Sequence, residues 1–220
     1  MGWPDVWLWI RHGESEGNLR TVDERAAFEE PTHDYALTER GREQGYYTNQ
    51  WVTKEFGTLD FRYSSNYRRA KETARLIFPD QDVRRDDRLN EAQRGIYHTY
   101  TREQIETHFP LEIERREREG LYFHRPFGGE NWPDVKLRLH SYFGTIARQH
   151  TGQRIADVSH GHVIILRQML VEHFCVKEAL QRYQDVIIPN AAVLVYRGNV
   201  VDGEPRLVLE ETVVPWEGRL

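Results

Sequence analysis

A short apolar run that ends in an arginine and a histidine constrains the fold of this chain most. Residues 6–10, Val-Trp-Leu-Trp-Ile, are β-branched, aromatic or aliphatic, and Arg11, His12 and Gly13 follow directly. Such a run predicts a buried strand, and a glycine lets the backbone leave it by a turn that other residues resist. Because open α/β sheets bind ligands at the carboxyl ends of their strands, Arg11 and His12 are candidate site residues.

A second histidine–glycine pair stands in the same kind of position much later in the chain. Residues 154–159 have the composition of another strand, and His160 and Gly161 follow at once. Apolar residues then recur at helical spacing, which predicts a helix after this pair. If the two strands are neighbours in a parallel sheet, His12 and His160 converge at one edge of it.

An arginine beside a histidine at such an edge suits phosphate chemistry. A guanidinium offers a planar fork of donors to phosphate oxygens, and a neutral imidazole can attack phosphorus. The pattern therefore predicts phosphoryl transfer, with His12 as the nucleophile and Arg11 as a phosphate ligand.

A third motif lies between the two histidines, at residues 65–74, which read Ser-Asn-Tyr-Arg-Arg-Ala-Lys-Glu-Thr-Ala. With an early Arg-His-Gly, this middle segment and a late His-Gly, the chain resembles the histidine phosphatase superfamily, which has the phosphoglycerate-mutase-like fold. The family carries Ser-x-x-x-Arg-Ala-x-x-Thr-Ala at this place, so the resemblance implies that Arg69 binds phosphate. Ala70 sets the register and distinguishes Arg69 from its neighbour Arg68.

The resemblance also implies an acid and further phosphate contacts. Glu91 follows a leucine and an asparagine and precedes Gly95, as the proton donor of the family does. Asn18 matches an asparagine that helps to hold the phosphate. Gly161, at the start of the late helix, is also expected to contact the phosphate. Other carboxylates compete for the role of the acid, namely Glu14, Glu16, Asp86 and Asp87.

A metal-independent reaction through a phosphohistidine is what the resemblance implies. Arg11 and Arg69 would clamp the phosphate oxygens, with His160 as a further donor. His12 must be neutral at its attacking nitrogen, so the other nitrogen has to donate elsewhere, most simply to a backbone carbonyl. Glu91 would protonate the alkoxide that leaves and later deprotonate the attacking water. We expect no cofactor, because cationic side chains supply the charge.

Alternating strand and helix patterns are typical of a parallel α/β sheet. We therefore expect a three-layer α/β/α sandwich with a mostly parallel sheet, in a single domain that spans residues 1–220. Thr38 is the predicted cap of a helix that ends before Gly57, and residues 19–36 are interpreted as a polar loop. The other predicted elements are strands near 60–64, 154–159, 192–197 and 206–214, the last at an edge, and helices near 67–77 and 131–150.

Residues 92–128 are rich in arginine, histidine and tyrosine and show no clear helical period. We interpret them as a helical insertion that caps the strand ends. Arg94, Arg115 and Arg116 are therefore candidate substrate contacts, which would select a second negative group on the substrate. A solvated helix face is the alternative for the arginine cluster at 115–118.

Composition limits the class of protein. Hydrophobic residues make up 39% of the chain, and no apolar stretch approaches the ~20 residues of a membrane helix. The net charge of -5 gives no indication of nucleic-acid binding. The single cysteine, Cys175, lacks the Cys-x5-Arg loop of cysteine phosphatases and leaves no intrachain disulfide. A polar chain without disulfides or a basic leader is predicted to be cytoplasmic.

Three functions stay open, and we favour the first. The chain would be a phosphomonoester hydrolase whose partner is a small phosphorylated metabolite, or a phosphoglycerate-type mutase that returns the phosphate to its substrate. A non-catalytic regulatory module that binds a phosphorylated ligand is the third. Residues 92–95, Ala-Gln-Arg-Gly, depart from the Arg-His-Tyr-Gly of the mutases, which favours the hydrolase.

Two further features of the sequence concern metals and assembly. His160 and His162 are two residues apart and could form a metal pair, but a glycine opens a helix between them and no acidic cluster stands beside them. We therefore expect no metal. The oligomeric state is open, and a homodimer is compatible with the sequence.

Overall fold

The structure is a computed structural model that describes residues 2–220. In that part of the chain the central sheet has six strands, β1 (Val6–Arg11), β2 (Phe61–Ser64), β3 (Arg84–Arg85), β4 (Arg154–Ser159), β5 (Val193–Val201) and β6 (Glu204–Val213). The strand order is β3-β2-β4-β1-β5-β6. β1 to β4 run parallel to one another, and β5 and β6 are antiparallel to their neighbours. The mostly parallel sheet and the edge position of the last strand are confirmed.

Helices connect these strands. Those that residues 2–220 form are α1 (Val22–Ala26), α2 (Glu39–Phe56), α3 (Arg68–Ile77), α4 (Arg102–His108), α5 (Pro110–Phe123), α6 (Trp132–Gln149), α7 (Gly161–Val171) and α8 (Val176–Asp185). Short 3-10 turns lie at Thr32–Asp34, Asp87–Leu89 and Gly95–His98. Among the described residues, no helix is both long enough and apolar enough to cross a membrane.

Alternation along β1 supplies the core on both faces of the sheet. Trp7 and Trp9 point to one face, where they pack with residues of α6 and α7 such as Phe143. Leu8 and Ile10 point to the other face and pack against α2 and α3. Because successive side chains of a strand point to opposite faces, one fully buried strand contributes to both cores. The predicted three-layer α/β/α sandwich is confirmed.

The ends of α2 follow from its sequence. The Thr38 side chain accepts a hydrogen bond from the Gly41 backbone N–H at 3.0 Å, which satisfies one of the donors that a helix start leaves unpaired. Gly57 ends the helix with a φ of 61°, in the left-handed region that favours glycine. Both predicted boundaries of this helix are confirmed.

The interpretation of residues 19–36 as a loop is wrong in part, because they contain α1. A capping box fixes the start of this helix, since Thr21 and Glu24 exchange hydrogen bonds between side chain and backbone. The helix has five residues and no buried side chain, so its sequence carries no apolar period. The two-residue strand β3 is also absent from the predicted elements, because it is too short and too exposed to show an apolar pattern.

Residues 92–128 contain α4 and α5, in outline as the sequence predicts. The start of this segment is tied to its far end by a bridge between Arg94 and Gly129. Gly95 has a φ of 52°, and a Cβ there would lie 1.9 Å from the Phe127 carbonyl oxygen, so only glycine fits. This close approach fixes where Arg94 and the turn after it lie.

A buried ion pair lies inside the aromatic face of the core. Arg167 of α7 and Asp157 of β4 are both fully buried, and two hydrogen bonds join the guanidinium to the carboxylate. The Trp7 indole N–H donates to the same carboxylate at 2.7 Å. The Arg167 guanidinium also lies 4.0 Å from the centre of the Trp9 ring. The pair attaches α7, the helix that follows His160, to the central strands.

Candidate active site

The sheet topology brings the two histidine–glycine pairs together. β1 and β4 are neighbours, with Arg11 opposite Ser159, so the chain leaves both strands side by side at the same edge. The centres of the His12 and His160 rings are 5.1 Å apart. His12 and His160 therefore converge, as the sequence predicts for neighbouring strands.

Gly13 has a role different from the one that its position predicts. It does not lie in the left-handed region of backbone conformation. A Cβ at Gly13 would instead lie 2.5 Å from the Gly41 carbonyl oxygen of α2. Glycine is therefore required here because two stretches of backbone approach closely, not because the turn is strained.

His12 is held as a neutral ring whose lone pair is at Nε2. Its Nδ1 lies 2.7 Å from the Gly13 carbonyl oxygen, which can only accept, so Nδ1 carries the proton. Burial lowers the pKa of His12 well below its ordinary value, and the charges of Arg69 and Arg11 lower it further. Nε2 therefore carries the lone pair, which is the state in which an imidazole can act as a nucleophile.

Arg69 of α3 joins the two histidines. Its Nε donates to His12 Nε2 at 3.1 Å, and its Nη2 lies 3.2 Å from His160 Nδ1. A third nitrogen, Nη1, donates to the Thr32 carbonyl oxygen at 2.7 Å. Burial lowers the pKa of Arg69 to about 10, so the guanidinium stays charged at neutral pH. One cation therefore faces His12 Nε2 and His160 at the same time.

A chain of hydrogen bonds orients His160. Its Nε2 lies 2.9 Å from Ser65 Oγ, whose hydroxyl donates in turn to Asn90 Oδ1 at 2.9 Å. Nε2 therefore carries the proton, and Nδ1 accepts from Arg69. Burial and the charge of Arg69 hold the pKa of His160 well below its ordinary value. Ser65 and Asn90 are orienting residues that sequence reasoning did not single out, although both stand inside its motifs.

Arg11 and Gly161 lie together at the start of α7. The Arg11 guanidinium donates to the Ile188 carbonyl oxygen, and its buried Nε has no hydrogen-bond partner among residues 2–220. A Cβ on Gly161 would lie 3.5 Å from that Nε, so the glycine keeps the space beside it open. A buried donor without a partner costs free energy, which an anion bound there would recover.

Asn18 also lines the cleft, as the resemblance implies. Its Oδ1 accepts from the Ser15 backbone at 2.9 Å and from the Ser15 hydroxyl at 3.0 Å. The Asn190 amide donates to the His12 carbonyl oxygen at 3.0 Å. The same amide lies 3.3 Å from Asn18 Oδ1. Because its oxygen is engaged, Asn18 presents its amide nitrogen as a neutral donor.

Glu91 is the one carboxylate on the cleft wall among the described residues. Burial raises its pKa, but the cations around it and the Ala92 backbone N–H, which donates at 3.0 Å, outweigh that effect, so the net pKa is lowered. His162 lies 3.8 Å away, and burial lowers the pKa of His162 to about 4, so that ring is neutral near pH 7. Arg94 and Arg69 are therefore the charges that hold Glu91 ionised.

The rival acids lie elsewhere. Glu14 accepts from the Thr38 hydroxyl at 2.8 Å, and Glu16 accepts from the Ala36 backbone N–H at 3.0 Å. Asp86 pairs with Arg88 and Asp87 with the Asn66 amide, at the other side of the strand end. In residues 2–220, none of these four carboxylates lines the cleft.

The insertion contributes only some of its predicted contacts. Arg94 lines the cleft, where it donates to the Tyr183 hydroxyl at 3.1 Å. Arg115 is not brought there, because Glu112 and Glu119 of its own helix each bind it at 3.4 Å. Arg116 lies 5.1 Å from the centre of the Tyr97 ring, in the wall of adjoining cavities. Arg25 of α1 is a cleft residue that the sequence did not indicate.

His160 and His162 do not form a pair. His160 is bound to Ser65 and Arg69, whereas His162 packs between the rings of Trp132 and Tyr183, at 4.6 and 5.1 Å. Within residues 2–220, no three histidine, cysteine, aspartate or glutamate side chains are grouped as metal ligands. The cleft, of about 220 Å³, has the donor set of an anion site, with guanidinium groups, imidazoles and an amide on its wall.

Comparison with known proteins agrees with this geometry. The model of the histidine phosphatase superfamily (branch 1) matches residues 7–209, so the chain belongs to that superfamily. A 2,3-bisphosphoglycerate-dependent phosphoglycerate mutase of Methylorubrum extorquens (strain PA1) is 25% identical over 174 residues, which cover 76% of this chain and 79% of the mutase.

Solved structures share the fold at lower identity. The alpha-ribazole phosphatase of Shigella flexneri has a TM-score of 0.74 and 18% identity, over 93% of this chain and 95% of that one. Phosphoserine phosphatase of Entamoeba histolytica, solved with 3-phosphoglyceric acid, has a TM-score of 0.68 and 22% identity, over 94% and 95%. These structures agree with the fold described above.

Proposed function

We propose that the protein is a metal-independent phosphomonoester hydrolase that acts on a small phosphorylated metabolite through a phosphohistidine. The observation that carries the proposal is the state of His12, a buried neutral ring whose Nδ1 donates to the Gly13 carbonyl oxygen and whose Nε2 faces the cleft. Superfamily membership and neighbours named as phosphatases support the same class of reaction.

The first half of the reaction transfers the phosphoryl group to His12. Arg69 turns from the ring nitrogen to the phosphate oxygens, and Arg11 binds them through its unpartnered Nε. His12 Nε2 attacks phosphorus, the N–P bond forms and the P–O bond to the alcohol breaks. Negative charge near His160 raises the pKa of that ring, so that Nδ1 takes up a proton from solvent and donates to the phosphate. The guanidinium groups balance charge on the three equatorial oxygens.

Glu91 gains its proton only when the substrate binds. In the free protein the arginines hold its pKa low, and a phosphate bound between Arg11 and Arg69 cancels that field. A substrate that arrives as its monoanion passes its proton to Glu91, which delivers it to the oxygen of the departing alcohol. In the second half, water attacks phosphorus, Glu91 accepts a proton from it, the N–P bond breaks and inorganic phosphate leaves.

Replacing Glu91 by glutamine tests whether Glu91 is the general acid, because glutamine keeps the shape of the side chain but has no proton to give. An alkoxide is a poor leaving group that needs the proton, whereas nitrophenolate leaves without one. We expect E91Q to slow alkyl phosphates by on the order of 10²-fold or more and nitrophenyl phosphate much less. Steady-state kinetics on both substrates is the measurement, with E16Q as the control. Equal losses on both substrates would assign Glu91 a structural role only.

Chelation tests whether side chains alone supply the positive charge. We expect turnover to survive exhaustive EDTA treatment, because four arginines bring positive charge to the cleft wall, namely Arg11, Arg25, Arg69 and Arg94. Vanadate should inhibit competitively, since its trigonal-bipyramidal adduct resembles the transferring phosphoryl group. Activity that EDTA removes and a divalent ion restores would contradict the metal-independent mechanism.

A phosphoglycerate-type mutase is the second candidate, because a relative bears that name. The same phosphohistidine would then return its phosphate to a bound alcohol instead of water. The departure of residues 92–95 from the mutase pattern favours the hydrolase. An assay of 3-phosphoglycerate that measures both released phosphate and 2-phosphoglycerate distinguishes the two, and isomer without phosphate would favour the mutase.

A further inference from the structure

A side chamber of about 230 Å³ is continuous with the cleft on the side of Glu91. Arg94, Tyr97, His162 and Tyr183 each line both spaces, and Ala92, the residue after Glu91, lines the chamber. The group that leaves from phosphorus must depart toward the acid that protonates it. The chamber is therefore where the alcohol part of a substrate would lie if the proposed hydrolase reaction is correct.

Aromatic and aliphatic side chains form most of the chamber wall. They include Tyr97, Leu121, Pro126, Trp132 and Tyr183. Two titratable residues of the wall are bound to residues outside it: His124 lies 3.0 Å from Glu112, and Glu130 accepts from Arg138 at 2.9 Å. Arg94 and Arg116 also line the wall. A cationic group placed there would be desolvated against apolar side chains and repelled by these arginines, whereas a flat ring would gain contact with the aromatic side chains.

His162, on the same wall, is buried at 8% exposure and has no hydrogen-bond partner at either ring nitrogen among residues 2–220. Its neutral ring carries one donor and one acceptor, between Trp132 and Tyr183 at the boundary of cleft and chamber. Buried polar groups are normally hydrogen-bonded, so these two nitrogens indicate a ligand with neutral polar groups.

We propose that this chamber selects a phosphomonoester whose alcohol carries a flat aromatic ring with a neutral hydrogen-bonding group, and that His162 binds that group. The selectivity comes from the rings around His162 and from its two free nitrogens. A second anion, which Arg94 and Arg25 would bind, is the competing class of substrate. Both arginines line the cleft, and neither forms an ion pair with a carboxylate of residues 2–220.

Binding of phosphonates tests the chamber without turnover. Benzylphosphonate, 3-hydroxybenzylphosphonate, n-butylphosphonate and 3-phosphonopropionate would be titrated by calorimetry into the whole protein. We expect benzylphosphonate to bind roughly tenfold more tightly than n-butylphosphonate, and the ring hydroxyl to tighten binding further. Equal affinity for the benzyl and butyl compounds would overturn the proposal, and so would tighter binding of the carboxylate compound.

Matched variants locate the selectivity. We expect Y183L to remove most of the preference for the benzyl compound and Y183F, which keeps the ring, to retain it. H162F should abolish the gain from the ring hydroxyl while benzylphosphonate still binds. A gain that persists in H162F would overturn the role of His162, and the Tyr183 pair tests the ring subsite separately. Because no reaction is involved, aromatic selectivity without hydrolysis would contradict the proposed function and leave the subsite standing.

Discussion

H12A should lose both turnover and the covalent intermediate. We expect hydrolysis to fall by on the order of 10³-fold or more, because the residue that forms the bond to phosphorus is gone while the phosphate ligands remain. With ³²P-labelled substrate, the unchanged protein should trap a phosphoprotein that is labile in acid and stable in alkali, as phosphoramidates are. H12A should trap none.

The matched control is H140A, which removes an exposed histidine on α6. It should label and turn over as the unchanged protein does. Phosphate binding by H12A, measured by calorimetry, separates loss of the nucleophile from loss of the site. Label that persists in H12A with the same acid lability would place the nucleophile on another histidine and contradict the mechanism.

R167M should destabilise the core strongly. It leaves the Asp157 carboxylate fully buried with only the Trp7 indole and the Tyr142 hydroxyl as neutral partners. Removing one partner of a buried ion pair costs about 3–5 kcal/mol, because the other charge stays in an apolar surrounding. We expect a loss of that size in the free energy of unfolding from urea denaturation.

R182M is the control for this prediction. Arg182 pairs with Glu172 at 3.1 Å, but its side chain is 40% exposed, so the pair is screened by solvent. Exposed pairs contribute about 1 kcal/mol or less. A loss in R167M no larger than that in R182M would contradict the prediction that the change leaves an uncompensated buried charge on Asp157.

Local signals account for what the sequence could predict. The apolar run before Arg11, the run before His160 and the motif around Arg69 each place a polar residue directly at the end of an element. The parallel sheet then brings these ends to one edge, so the convergence needs no knowledge of distant contacts. The position of Glu91 follows from its motif, and the structure agrees in so far as Glu91 reaches the cleft wall.

Distant contacts account for what sequence reasoning missed. Trp132 and Tyr183, which surround His162, come from α6 and α8, and no local pattern links these residues to it. Arg25 reaches the cleft from a helix with no apolar period. The position of Arg115 could have been predicted better, because Glu112 and Glu119 stand three and four residues away, at the spacing of helical ion pairs.

In the proposed mechanism, the contact between Arg69 and His12 makes the reactivity of His12 depend on what is bound in the cleft. In the free protein the guanidinium occupies the lone pair of His12 Nε2, so the ring is guarded. Only a ligand with several anionic oxygens can draw the guanidinium away and uncover that nitrogen in the same movement. Uncharged electrophiles such as activated esters form no ion pair with the guanidinium, so they would leave it on His12. The protein would thus select for phosphate groups at His12 itself, because Arg69 covers Nε2 until an anion binds. This selection precedes any recognition of the rest of the substrate.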